Sequence, residues 1–276
     1  MTKFYDGLKN NLEGKIPDGK LKLLPHRCQI IGKVLLVKLL GNGMYQYRKK
    51  VGKAIMKIFP YIISVLLVTE VVGKKRLPFT ELIAGNKNTR TVHIEHGIKY
   101  CFDPAKIMFS KGNLHEKLLW EKKIKKDDIV VDMFAGIGYW SLIAGKHAKR
   151  VYSIEINPDA VKSLEFNCFL NMVSLEILEG DCRKFSGLLA NQADKVMMGY
   201  FGTKKFFSHG LKIVKSGGEI FYHDLVENND LDMLKDELIV IAKKENMTLK
   251  FISVRKVKSY RPGTSHYVFN IKVTRK

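Results

Sequence analysis

The order of apolar and polar residues predicts short strands and one amphipathic helix in the first part of the chain. Residues 30–40 are apolar and β-branched and predict a strand or a strand pair, and residues 91–102 alternate and predict a hairpin. Between them, residues 45–58 carry apolar side chains at helical spacing among lysines, which predicts a helix with a basic outer face. We therefore expect a small N-terminal α+β domain over residues 1–103.

From residue 129 onward, strands alternate with helices, which is typical of a mostly parallel sheet covered by helices on both faces. The last two strands predict an antiparallel hairpin at the sheet edge. The pattern predicts an α/β domain over residues 104–276 with a seven-stranded sheet. The predicted strands span residues 129–134, 151–155, 175–178, 195–198, 218–223, 248–257 and 265–273.

Composition narrows the class of protein. Lys and Arg total 48 against 27 Asp and Glu, a formal charge of +21, which favours a polyanionic partner over the simpler alternative of a lysine-rich solvated surface.

The four cysteines form no CxxC pair, so neither a metal site nor a disulfide framework is expected. The longest apolar stretch, residues 59–68, is shorter than the ~20 residues of a membrane span. Because no apolar signal segment opens the chain, we expect a cytoplasmic protein without membrane contact.

The strongest chemical signal is a buried strand that runs into a glycine turn, Val130 to Gly138. Gly136 and Gly138 let a ligand approach the backbone at the carboxyl end of the strand, where open α/β sheets bind ligands. A dinucleotide fold prefers a third glycine, and this chain has Ser141 there, so a dehydrogenase is disfavoured. Asp132, just before the turn, suits a ligand with a charged amine.

Two further acids follow the next two strands. Glu155 ends the second strand, where a carboxylate can accept hydrogen bonds from ribose hydroxyls, and Asp181 after the third strand can accept from an adenine amine. Each acid alone is also explained as a cap or a surface residue. Together with Asp132, they fit an adenosine that carries an amino acid, S-adenosylmethionine.

Three segments resemble one family of enzymes: DMFAGIGY (132–139), IEINP (154–158) and KIMFSKGN (106–113). The chain is similar to the archaeal tRNA(Phe) 4-demethylwyosine aminocarboxypropyltransferases of wybutosine biosynthesis, which resemble the tRNA guanine-37 N1-methyltransferases. The resemblance runs from about residue 36 to the C-terminal strands. It implies a Rossmann-like class I S-adenosylmethionine-dependent transferase domain behind a smaller tRNA-contacting domain.

The segment after the fourth strand separates the two related families. The N1-methyltransferases carry an Asn-Pro-Pro type motif there, whereas this chain has Met197-Met198-Gly199-Tyr200-Phe201-Gly202. The resemblance thus implies transfer of the 3-amino-3-carboxypropyl group of S-adenosylmethionine to C7 of 4-demethylwyosine at position 37, with 5′-methylthioadenosine released. Two alternatives stay open: a guanine-37 N1-methyltransferase, and a non-catalytic tRNA-binding protein with a degenerate cofactor fold.

The resemblance also implies roles for individual residues. Ser110 and Lys117 face the methionine end of the cofactor, Glu155 its ribose, and Asp181 and Cys182 its adenine. The family usually has Arg where this chain has Lys117, which keeps the charge but loses the bidentate fork. The full predicted cofactor set is Ser110, Lys117, Asp132, Phe134, Gly136, Gly138, Glu155, Asp181 and Cys182.

The remaining expectations concern the reaction and the partner. His223 or Asp224, at the end of the fifth strand, is the predicted acceptor of the C7 proton, and a structural role is the alternative explanation for His223. The partner is the anticodon loop of tRNA(Phe), bound by a monomer whose aromatic side chains stack on the displaced base and whose basic segments contact phosphates. The aromatic candidates are Tyr139, Trp140, Tyr200 and Phe201, with core packing as the favoured explanation for Trp140. The basic segments are residues 47–50, 74–76 and 122–126.

Overall fold

The computed structural model describes residues 3–39, 41–72, 77–109, 113–227 and 230–276 of the chain. The chain divides into two units, Met1–Ser110 and Lys111–Lys276. Within the described ranges, no helix is long and apolar enough to cross a membrane. The same ranges contain no group of three or more His, Cys, Asp and Glu side chains arranged to hold a metal ion.

The N-terminal unit contains a four-stranded sheet and a separate hairpin. Its described strands are β1 (Cys28–Ile31), β2 (Val34–Val37), β3 (Ser64–Val72), β4 (Leu77–Gly85), β5 (Thr91–Glu95) and β6 (Ile98–Phe102), and its described helices are α1 (Lys3–Leu12), α2 (Asp18–Leu21) and α3 (Arg48–Ile58). The sheet order is β1-β2-β3-β4, with β2 and β3 parallel, and β5 pairs with β6. The predicted strand pair over residues 30–40 and the hairpin over residues 91–102 are confirmed.

The core of this unit lies between the helices and the sheet. The amphipathic spacing of α1 and α3 places Leu8 and Ile55 at zero exposure against Leu35 and Val65 of the sheet. Each such side chain contributes roughly 1.5–3 kcal/mol of burial free energy, so the sheet and its helices stabilise each other. The helix predicted over residues 45–58 is confirmed, although its first turn is a 3₁₀ helix.

The C-terminal unit is an α/β fold. Its described helices are α4 (Leu114–Lys123), α5 (Ser141–Gly145), α6 (Pro158–Asn171), α7 (Cys182–Phe185), α8 (Phe207–Ile213) and α9 (Leu231–Lys244). Its described strands are β7 (Ile129–Asp132), β8 (Arg150–Glu155), β9 (Glu176–Glu179), β10 (Ala193–Met198), β11 (Val214–Glu227), β12 (Met247–Arg261) and β13 (Thr264–Arg275).

The strand order in this sheet is β12-β13-β11-β10-β7-β8-β9. The five strands from β11 to β9 are parallel, and β12 and β13 form an antiparallel hairpin at one edge. The predicted mostly parallel seven-stranded sheet is therefore confirmed. From β7 the chain adds β8 and β9 on one side of that strand, and it then adds β10 and β11 on the other side. The topological switch point therefore lies between β7 and β10. Ligands of open α/β sheets bind at the carboxyl ends of the strands at such a point.

Candidate active site

The glycine turn after β7 occupies the switch point. The Met133 N–H donates to the Met197 carbonyl of β10 at 3.0 Å, and the Ala135 N–H donates to the Ile154 carbonyl of β8 at 2.9 Å. Gly138 has a φ of +100°, and a Cβ there would lie 2.6 Å from Cγ of Leu142. Only glycine therefore fits, and the turn is anchored to both neighbouring strands.

Asp132 lies beneath this turn with no exposed surface. Its Oδ1 accepts from the Phe134 N–H at 3.2 Å, and its Oδ2 accepts from the Ser141 hydroxyl at 2.7 Å. Burial raises the pKa of the Asp132 carboxyl to about 7, and these hydrogen bonds only partly offset the effect. The carboxyl thus caps the glycine turn, which was the alternative explanation of its position.

Glu155 ends β8 beside the turn. Its Oε2 accepts from the Gly136 N–H at 2.8 Å and its Oε1 accepts from the Asn157 N–H at 2.7 Å. These two backbone donors fix the plane of the carboxylate at the carboxyl edge of the sheet. A carboxylate has about four acceptor positions in total, so a group oriented in this way suits the paired hydroxyls of a ribose.

Asp181 and Cys182 follow β9. The Asp181 side chain accepts from the Arg183 N–H at 3.0 Å as the N-cap of α7, and the Arg183 guanidinium also donates to it, which lowers the pKa of the Asp181 carboxyl to about 2. Cys182 is buried, and burial raises the pKa of its thiol to about 12. Arg183 therefore keeps Asp181 ionised. The sequence reasoning did not single out Arg183, although a basic residue two positions after a predicted N-cap could have indicated this contact.

Three predicted cofactor residues remain: Phe134 and Lys117, which have described contacts, and Ser110, which does not. Phe134 is half-buried, with its ring centroid 5.7 Å from that of Tyr200 and 5.5 Å from that of Phe206. Lys117 of α4 is 2 % exposed and its Nζ lies 5.7 Å from the centre of the Tyr139 ring. Ser110 lies outside the described residues.

The two predicted proton acceptors point to opposite faces of the sheet. His223 and Asp224 are consecutive in β11, and side chains alternate along a strand. The His223 ring contacts the Trp140 ring at 4.9 Å between centroids, and its Nδ1 lies 3.1 Å from Nε2 of His266. Burial moves the pKa of His223 well below its usual range, with smaller contributions from His266 and Arg255. The structure thus holds His223 as a neutral, buried ring.

Asp224 has hydrogen-bond partners different from those of His223. Its carboxylate accepts from the Gly202 N–H and the Leu225 N–H, each at 2.8 Å, and from the Tyr222 hydroxyl. It therefore anchors the turn that follows β10. The contact of His223 with His266 was missed by the sequence reasoning, because it depends on the register between β11 and β13.

The turn after β10 is shaped by an indole. Trp140 is 4 % exposed, which confirms core packing for this residue. A Cβ on Gly199 would lie 2.3 Å from the Trp140 indole nitrogen, so no other residue fits at position 199 beside this tryptophan. Beyond it, Tyr200 turns toward Phe134, whereas Phe201 contacts His266 with ring centroids 4.8 Å apart.

A mostly parallel sheet with a glycine turn at its switch point and acids at the carboxyl ends of three successive strands defines a Rossmann-like S-adenosylmethionine-dependent transferase. The chain matches the family model described as the TRM5/TYW2 methyltransferase domain over residues 91–250, and that described as the TYW2 N-terminal domain over residues 8–89. The protein belongs to the TRM5/TYW2 family.

Two curated relatives and one crystal structure are similar over nearly the whole chain. The tRNA(Phe) (4-demethylwyosine(37)-C(7)) aminocarboxypropyltransferase of Pyrococcus horikoshii is 35 % identical, covering 96 % of each chain. The tRNA 4-demethylwyosine(37)-methyltransferase Taw21 of Saccharolobus solfataricus is 31 % identical, covering 89 % of this chain and 93 % of the relative. The crystal structure of P. horikoshii TYW2 in complex with MeSAdo superposes with a TM-score of 0.84 at 33 % identity, covering 99 % of this chain and all of the other.

Proposed function

We propose that this protein transfers the 3-amino-3-carboxypropyl group of S-adenosylmethionine to C7 of 4-demethylwyosine at position 37 of tRNA(Phe). The observation that carries the proposal is the full-length similarity to an aminocarboxypropyltransferase. The turn after β10 supports it, because Met198-Gly199-Tyr200 stands where the related N1-methyltransferases have an Asn-Pro-Pro type motif. The bond from the γ-carbon to sulfur breaks as the bond to C7 forms, and 5′-methylthioadenosine leaves with the electron pair.

The residues at the switch point fit S-adenosylmethionine. Glu155 would hold the ribose hydroxyls, since two backbone N–H groups already orient its carboxylate. The half-buried Phe134 and the segment Asp181–Cys182 would line the adenine, and Gly136 and Gly138 would let the cofactor lie against backbone. When bound, the sulfonium supplies three electrophilic carbons, and orientation decides which of them reacts.

The methionine end would be held by Lys117 and Ser110, with Asp132 beneath. The buried ammonium of Lys117 lies at the Tyr139 ring, directly after the glycine turn, and is suited to the cofactor carboxylate as a point charge. Asp132 would act through the turn, because its oxygens bind the Phe134 N–H and the Ser141 hydroxyl. Its contribution is therefore to the shape and charge of the turn.

Asp224 and His223 would have separate roles in the transfer. Asp224 accepts a hydrogen bond from the Gly202 N–H and would thereby position the Tyr200–Phe201 turn beside the reacting base. His223 packs on Trp140, and its neutral imidazole has a lone pair that could take the C7 proton, but its lowered pKa makes it a weak base. Positioning rather than strong base catalysis would supply most of the rate.

The substrate would be bound at the anticodon loop by a monomer in the cytoplasm. The N-terminal unit carries 20 Lys and Arg against 7 Asp and Glu, a net charge of +13 over 110 residues, which suits contacts to tRNA phosphates. On α3, Lys53 and Lys57 are exposed, whereas Arg48 is engaged by Glu81 at 2.8 Å. Residues 74–76, predicted to contact phosphates, lie outside the described residues.

Methyl transfer to the same base is the second candidate, favoured by the similarity to the Saccharolobus methyltransferase. The test is nucleoside mass spectrometry of tRNA(Phe) after incubation with the protein and S-adenosylmethionine. One tRNA sample carries 4-demethylwyosine at position 37 and a matched sample carries unmodified guanosine. We expect an aminocarboxypropyl gain on the first sample only. A methyl gain on the first sample would support the second candidate, and a methyl gain on guanosine would support the N1-methyltransferase.

A further inference from the structure

The C-terminal hairpin reaches beyond the candidate active site. Strand β10 ends at Met198, which pairs with Tyr222 of β11, and β11 continues to Glu227, where it pairs with Thr264 of β13. Five further residues at about 3.3 Å each carry the hairpin about 16 Å past the end of β10. The end of the hairpin, residues 255–264, is called the hairpin overhang here. It therefore extends past the edge of the sheet that carries Glu155 and Asp224.

The charge of this hairpin is one-sided. Residues 247–276 contain eight Lys and Arg and no Asp or Glu. Lysines on an edge strand also prevent that strand from pairing with strands of other molecules, so the positive charge by itself does not indicate RNA binding. The overhang adds an aromatic side chain: Tyr260 is 52 % exposed and lies at a register shift between Ser259 and Arg261, and such irregularities redirect side chains out of the sheet.

A line of ring contacts joins this tyrosine to the glycine turn. The Tyr260 ring is 6.2 Å from Phe201, Phe201 is 4.8 Å from His266, and His266 is 5.2 Å from His223, between centroids. His223 in turn contacts Trp140, which follows the glycine turn. The exposed end of this line is thus held in place relative to the site where the base would react.

We propose that the hairpin overhang binds single-stranded nucleotides of the tRNA loop beside the modified base. Tyr260 would stack on a base, with Lys256 on one flanking phosphate and Arg261 on the other; the ion pair of Arg261 with Glu227, 3.7 Å long, is solvent-exposed and weak. An exposed aromatic between cations is the arrangement that binds single strands without sequence readout. This inference rests on the proposed function for the identity of the RNA.

The test is equilibrium tRNA binding by variants of the full chain, without S-adenosylmethionine. Tyr260→Ala is expected to weaken binding about tenfold, while Tyr260→Phe keeps the wild-type affinity. The double variant Lys256→Ala with Arg261→Ala is expected to reduce the slope of log affinity against log salt by about two. Matched controls are Phe169→Ala, 77 % exposed on α6, and Lys243→Ala with Lys244→Ala at the exposed end of α9.

These measurements test RNA binding by the hairpin overhang separately from the transfer reaction. S-adenosylmethionine affinity and melting temperature should stay at wild-type values in every variant, which excludes loss of folding. Wild-type tRNA affinity in the overhang variants, or an equal loss in the controls, would overturn the proposal. Repeating the titration with unfractionated tRNA shows whether the surface binds RNA even if the substrate assignment fails.

Discussion

A buried aspartate lies at each end of strand β7, and the two are held differently. Asp128, just before the strand, forms an ion pair with the buried Lys195 of β10 at 2.9 Å between Oδ2 and Nζ. Asp132, at the carboxyl end, is held by the Phe134 N–H and the Ser141 hydroxyl. A lysine ammonium compensates the buried carboxylate at the amino end, whereas hydrogen bonds only partly offset the burial of Asp132 at the carboxyl end.

The neighbouring acids repeat this difference. Asp194 pairs with Lys215 at the amino end at 3.1 Å, whereas Glu155 at the carboxyl end receives the Gly136 and Asn157 N–H groups. The two N–H groups orient the Glu155 carboxylate, and a bound sulfonium and amine would be positive. From this comparison we propose that the amino end of the sheet contributes mainly to folding and the carboxyl end to ligand binding.

The largest expected effect is on stability at the amino end. Lys195→Met leaves Asp128 buried without its cation, and breaking a buried pair in this way should lower the free energy of unfolding by about 3 kcal/mol. Urea unfolding measures it. Lys215→Met is the control, since its partner Asp194 and Lys215 itself are about a third exposed, and it should cost less than about 1 kcal/mol. Equal costs for the two variants would contradict the comparison, as would weaker S-adenosylmethionine binding by folded Lys195→Met protein.

A substitution at the carboxyl end of the sheet should weaken ligand binding more than it lowers stability. Glu155→Gln keeps the shape of the side chain but removes its charge, so S-adenosylmethionine affinity should fall about 10- to 100-fold, as expected for lost charge-assisted hydrogen bonds. Stability should fall by only about 1 kcal/mol, because one backbone N–H loses its acceptor. Isothermal titration and unfolding measure the two effects.

Glu179→Gln provides the matched control for this substitution. Glu179 is the register partner of Glu155 on β9 and is exposed. We expect wild-type affinity from it. Similar losses from the two variants would mean that general charge, rather than the oriented carboxylate, attracts the ligand.

The smallest expected effect is a pH dependence that belongs to Asp132. Its pKa of about 7 in the folded protein lies above its ordinary value of 3.8, so between these values the folded state binds a proton that the unfolded chain has released. Stability from this group therefore falls as pH rises toward 7. From pH 6 to pH 8, wild type should lose about 1 kcal/mol relative to Asp132→Asn.

Unfolding of both proteins in urea at the two pH values measures this difference. The lowered pKa values of His223 and His266 act in both proteins and cancel in the comparison. Parallel pH profiles would show that burial does not perturb Asp132.

The fold was largely predictable because strand ends and acids are local signals. The glycine turn, Glu155 and Asp181 were predicted at the ends of successive strands, and all lie at the carboxyl ends of strands in the observed sheet. Helices α8 and α9 were not predicted, although Leu234, Leu238 and Ala242 have helical spacing.

The partners of the site residues were not predictable from the sequence. The contact of His223 with His266 joins residues 43 positions apart, and it depends on the register between β11 and β13. The close approach of Trp140 to Gly199 likewise depends on how the glycine turn packs against the turn after β10. Roles of the predicted cofactor residues stay predictions until they are tested by substitution.

The most direct test of the account is the identity of the small molecule released from S-adenosylmethionine. The protein is incubated with S-adenosylmethionine and tRNA(Phe) carrying 4-demethylwyosine, and the coproduct is identified by mass spectrometry, with reactions lacking tRNA as the blank. We predict 5′-methylthioadenosine in amounts equal to the modified tRNA. S-adenosylhomocysteine in its place would contradict the account and identify a methyltransferase.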